Sequence, residues 1–165
     1  MSTYPIFRTK NDARRTPQNV QREKSRSLYL VYASQFTEYR TAIEAAKETF
    51  SQEQIWPDQC DYIIYKIKPL QKTASSIANL TNSTKKQGSK SLDHNRYPLL
   101  VSAHYLYEQA DMLVDYIREY KEITDHQSAK KSKQRLILGS LHHLDSSLHD
   151  LMKELDKTIQ NSGNI

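Results

Sequence analysis

Seven apolar residues towards the C-terminus, Ile137, Leu141, Leu144, Leu148, Leu151, Leu155 and Ile159, follow one another at steps of four, three, four, three, four and four. Residues three and four apart share one face of an α-helix, so this spacing predicts a long helix with a continuous apolar stripe. A strand would show a period of two instead. The stripe has two uses open to it: closing a helical bundle from within, or pairing with a helix of another protein.

The same periodicity recurs three times upstream. Leu28, Tyr32, Phe36, Tyr39, Ile43, Ala46 and Phe50 predict a helix ending near residue 50, where Ser51 to Pro57 interrupts it. Cys60, Ile63 or Ile64, Ile67, Leu70, Ala74, Ile77 and Leu80 predict a second helix from about Asp58. Pro69 lies within it and is expected to kink or split it, because proline lacks a backbone donor and crowds the preceding turn. Leu99, Ala103, Leu106, Ala110, Leu113, Ile117 and Tyr120, widened by Tyr107 and Val114, predict a third helix starting near Pro98. Three glycines and five prolines in 165 residues leave little material for a turn-rich β sandwich. The expectation is therefore an all-α protein: a bundle of about four long helices in two antiparallel hairpins, 27–80 and 97–160. Residues 81–96 read as a linker and residues 1–26 as a flexible basic arm, since neither carries an apolar stripe.

Charge is distributed unevenly along this frame. Residues 1–26 hold Arg8, Lys10, Arg14, Arg15, Arg22, Lys24 and Arg26 against two acids. Lys85, Lys86, Lys90 and Arg96 face only Asp93 in the linker, and Lys130, Lys131, Lys133 and Arg135 crowd the start of the last helix. With a net charge of +5, the remaining helical segments are acidic. Basic clusters of this kind suit nucleic acid or an acidic protein segment, through phosphate or carboxylate contacts that position a partner without reading sequence. They equally serve as a solvated surface.

The sequence offers no catalytic residues. Three glycines cannot build a phosphate-cradling loop, and neither G-x-S-x-G nor H-E-x-x-H occurs. Cys60 is the single cysteine, which excludes a disulfide framework and a cysteine zinc site. His142, Asp145 and His149 fall on one helix face, but they span two turns, about 10 Å, too far for one metal to reach both histidines. No metal and no cofactor are expected. No apolar run approaches the length of a membrane span, and no secretory signal is evident, so a cytoplasmic protein without membrane contact is the expectation. Eleven tyrosines are many for this length. Tyr32, Tyr39, Tyr107 and Tyr120 fall on stripes, whereas Tyr29, Tyr97, Tyr105 and Tyr116 lie off them or at an edge. Tyr97, beside Arg96 and the basic linker, is the best placed to stack on an unpaired base.

The run HYLYE (His104 to Glu108), followed by Met112 and a charged helix, together with Ser34-Gln-Phe36 early in the first helix, resembles the bacterial primosomal replication protein N′′ (PriC) family. The resemblance implies a non-enzymatic adaptor for DNA replication and restart. Such an adaptor binds single-stranded or forked DNA, the acidic tail of single-stranded DNA-binding protein, and the replicative helicase. The family tends to place arginines just after the Tyr-Glu pair, where this chain has Gln109, Ala110 and Asp111. The residues expected to contact DNA or an acidic partner are therefore Arg14, Arg15, Arg22, Lys24, Arg26, Lys85, Lys86, Arg96, Tyr97, Lys130, Lys131, Lys133 and Arg135. The rival expectation is a structural assembly protein that pairs with a partner helix through the Ile137–Ile159 stripe.

Overall fold

The structure, a computed structural model, describes residues 17–87 and 90–163, and the side chains of these except at 17–19, 21, 22, 84–96, 162 and 163. The described residues form helices α1 (Pro17–Ser34), α2 (Phe36–Phe50), α3 (Pro57–Gln87), α4 (Lys90–Glu122) and α5 (Gln127–Gly163), with no strand among them. Only Gln35 separates α1 from α2, so the chain builds four rods. The interruption has a local cause. Ser34 Oγ donates to the Val31 carbonyl at 2.6 Å, and the Gln35 N–H bonds the Tyr32 carbonyl instead, a tighter turn than the α-helix makes.

Each rod runs antiparallel to its neighbours. The α1–α2 rod packs on α3 and α5, α3 packs on α4, and α4 packs on α5, which gives an up-down-up-down four-helix bundle. The pairings are marked by specific contacts: Tyr29 to Thr81, Lys47 to Asp145, Gln71 to Asp111, and Lys133 to Glu119. A single core runs the length of the bundle, and all seven residues of the C-terminal stripe are buried in it. That stripe is consumed within the chain, so the assembly reading loses the surface on which it relied.

Several sequence-based expectations change. Helix α1 begins at Pro17, so residues 17–26 are helical rather than part of a flexible arm, and Ser25 is buried. Residues 1–16 lie outside the described residues. Helix also occupies 81–87 and 90–96, most of the segment read as a linker, and α4 starts eight residues before Pro98. Pro69 does not split α3, which continues from Pro57 to Gln87. A buried polar cluster surrounds it: Tyr39 Oη donates to the Pro69 carbonyl (3.2 Å) and sits 2.7 Å from Thr73 Oγ1, while Thr73 Oγ1 donates to Gln35 Oε1. On α1 the core residue is Tyr29, 1% exposed, and Leu28 faces solvent. Tyr107, expected in the core, is exposed.

Candidate acidic-partner interface

Antiparallel packing sorts the basic residues into two groups at opposite ends of the bundle. One end gathers the start of α1, the close of α3 and the start of α4, hence the helix positions of Arg22, Lys24, Arg26, Lys85, Lys86 and Arg96. Lys24 and Arg26 are exposed, as is Tyr97. The side chains of Arg22, Lys85, Lys86 and Arg96 lie outside those described, and Arg14 and Arg15 lie outside the described residues altogether. The start of α5 carries Lys130, Lys131, Lys133 and Arg135 to the other end. The twenty-four residues from Arg96 to Tyr120 along α4 put about 36 Å between the two groups. The thirteen expected contacts therefore do not form one patch.

At the α5 end the four cations divide again. Lys133 donates to Glu119 Oε2 at 2.6 Å and lies over the Tyr116 ring, 5.5 Å from its centre. Lys130 lies over the Tyr120 ring at 5.6 Å. These two hold α5 against α4 through ion-pair and cation–π contacts. Lys131 and Arg135, one turn apart, are exposed and make no ion pair among the described residues.

Lys131 and Arg135 line a cleft of about 700 Å³ between the start of α5 and the loop after α2. Ser51, Gln52, Gln127 and Gln134 supply polar walls, Glu53 one acid, and Leu138 an apolar side chain. The site is held open by Gln134, whose Nε2 donates to the Phe50 carbonyl (2.6 Å) and the Gln52 carbonyl (2.8 Å). This satisfies carbonyls that the end of α2 would leave unpaired and pins the loop to α5. Across the loop, Pro57 opens α3, and Gln59 Oε1 accepts the Trp56 N–H at 2.8 Å, a reciprocal cap on the first turn. The cleft thus offers two cations without an ion pair among the described residues, which suits a carboxylate or phosphate.

Burial pushes the Cys60 thiol up to about 11, so it stays protonated and is a poor nucleophile. Asp145, the centre of the histidine-flanked trio, accepts from Lys47 at 3.2 Å, and no group of metal-binding side chains forms among the described residues. Burial pulls the Lys47 pKa down, but its bonds to Glu44 and Asp145 outweigh that, and the net shift is upward. Among the described residues no helix is long and apolar enough to cross a membrane.

Sequence reasoning missed three exposed aromatics. Trp56, Tyr62 and Tyr65 are each more than half exposed, and Lys66 lies over the Tyr62 ring at 5.6 Å. They sit off the apolar stripe, and that position was the available signal. Of the tyrosines expected at the surface, Tyr97 and Tyr105 are exposed and Tyr116 is half-buried, whereas Tyr29 is buried with its hydroxyl 3.1 Å from Thr81 Oγ1. No protein-family model matches this chain, and no curated protein or solved structure does either.

Proposed function

We propose that this protein is a non-enzymatic adaptor of DNA replication or restart that grips an acidic peptide in the Lys131–Arg135 cleft. At its opposite end it engages single-stranded or forked DNA. The observation that carries the reading is the cleft itself: of four clustered cations, the two without an ion pair among the described residues line a polar hollow beside them. An acidic C-terminal tail, such as that of single-stranded DNA-binding protein, supplies carboxylates for Lys131 and Arg135 and an apolar side chain for Leu138. Lys24, Arg26, Lys85, Lys86 and Arg96, with Tyr97 as a stacking platform, supply phosphate contacts at the other end. The separation of about 36 Å lets one molecule hold both ligands at once, which suits an adaptor that brings a helicase to coated DNA.

The test is fluorescence anisotropy with a labelled acidic peptide and, separately, a labelled single-stranded oligonucleotide, each over a salt series. The double variant Lys131→Glu/Arg135→Glu is expected to lose at least about tenfold in peptide affinity at low salt. Its oligonucleotide affinity should change much less. Peptide binding that the double variant leaves unaltered would remove the cleft from the account.

A further inference from the structure

The outer face shared by α4 and α5 carries apolar side chains that the bundle leaves uncovered. Val101, Tyr105 and Met112 lie at steps of four and seven on α4 and are 45–49% exposed. They occupy the flank that turns towards α5, because Tyr116 and Glu119, four and seven residues beyond Met112, both meet Lys133. On α5, three residues beyond Lys133, Leu136 is 44% exposed. The next position along this outer surface is Gly139, deep inside a helix of 37 residues. A Cβ built there would meet nothing within 4 Å. Glycine in a helix interior costs about 1 kcal/mol relative to alanine, and no neighbour among the described residues requires it. Its lack of a side chain leaves a notch in the surface.

The level of this notch can be read from the α4–α5 contacts. The helices are antiparallel, and Glu119 meets Lys133. Met112, seven residues before Glu119, therefore stands level with Gly139 and Ser140, six and seven residues after Lys133. The two helices also differ in charge. The exposed surface of α4 carries Glu108, Asp111, Asp115, Glu119 and Glu122 against Arg118. The exposed surface of α5 carries Lys131, Arg135, Lys153 and Lys157 against Asp150 and Asp156, with His142, His143 and His149 between them.

We propose that this face is the self-association surface of a symmetric dimer in which Met112 of each copy enters the notch at Gly139 of the other. A two-fold axis parallel to the bundle lays α4 of one copy over α5 of its partner with every level preserved. Met112 then meets Gly139, and Glu108 comes near His143. Acidic α4 lies on basic α5 twice over, as an isologous contact requires. The other two-fold arrangement, with its axis across the helices, sets acidic α4 on acidic α4 and misplaces the notch. From Tyr97 to Glu119 the face is about 33 Å long and about 20 Å wide. That footprint approaches the roughly 800 Å² per partner of a standard interface.

The test is sedimentation equilibrium of the full-length chain over a wide concentration range, with Met112→Glu and Gly139→Leu beside the unaltered sequence. The unaltered chain is expected to dimerise, and each substitution to weaken the dimer by at least about tenfold. Gly139→Leu separates this from a folding defect. Because its side chain meets nothing in its own copy and leucine favours helix, the variant should melt no lower than the parent at dilutions where both are monomeric. A parent chain that stays monomeric throughout would overturn the proposal. So would a dimer whose dissociation constant neither substitution changes, since it would be built on another face.

Discussion

Cys60 illustrates how burial couples a single side chain to the stability of the whole. Its thiol lies out of solvent, and desolvation lifts its pKa from an ordinary 9.0 to about 11. Between those values the folded chain holds a proton that the unfolded chain gives up. The folded state then binds more protons, and stability falls as pH rises through the window. Burial raises the Tyr39 and Tyr120 hydroxyls in the same direction, which extends the loss to higher pH. Urea melts from pH 8 to 11 are expected to show a decline of order 2 kcal/mol attributable to Cys60. Cys60→Ala should be less stable at neutral pH yet lose less across the window. Ser25 is a second residue with a definite expectation. Its hydroxyl is buried and has no hydrogen-bond partner among the described residues, so Ser25→Ala should raise stability by about 1 kcal/mol in the same assay. Tyr39→Phe should instead cost about 1–2 kcal/mol, because it strips a shared partner from Thr73 and Gln35. At this scale the sequence misled at Tyr107, which is exposed, and at Leu28. Leu28, Tyr32 and Phe36 are joined by steps of four, and each such step drifts about 40° round a helix. Two steps turn Leu28 away from the core. Tyr29, seven before Phe36, stays within about 20° of it and is the residue that packs.

The helices themselves were legible where an apolar stripe ran unbroken, as in α5 and in Leu99 to Tyr120 of α4. Their ends were not. Residues 81–87 and 90–96 carry no apolar stripe, and a helix needs none to persist from a packed neighbour. Sequence spacing likewise does not reveal that α3 runs on through Pro69. The α2–α3 loop is pinned by a tertiary contact, that of Gln134. Gln134→Ala should release the end of α2 at a cost of about 1–2 kcal/mol and increase hydrogen exchange at residues 50–53, with little change elsewhere. Uniformly raised exchange would mean that Gln134 acts on the global fold instead of the loop.

For the whole molecule, the basic clusters were visible in the sequence but their arrangement was not. Whether Lys24 and Lys131 lie together or apart depends on how many times the chain reverses between them. An up-down-up-down bundle sends them to opposite ends. Nor could spacing show that Lys130 and Lys133 are engaged by α4 tyrosines and Glu119 while Lys131 and Arg135 are not. The account therefore makes two ligand sites of what the sequence presents as one basic character, and it predicts that they are independent. Titrating a labelled acidic peptide into the protein, with and without saturating unlabelled single-stranded oligonucleotide, tests this most directly. The account predicts salt-sensitive peptide binding that Lys131→Glu/Arg135→Glu abolishes and the oligonucleotide leaves nearly unchanged. Displacement of the peptide by the oligonucleotide would mean a single shared site and would contradict it.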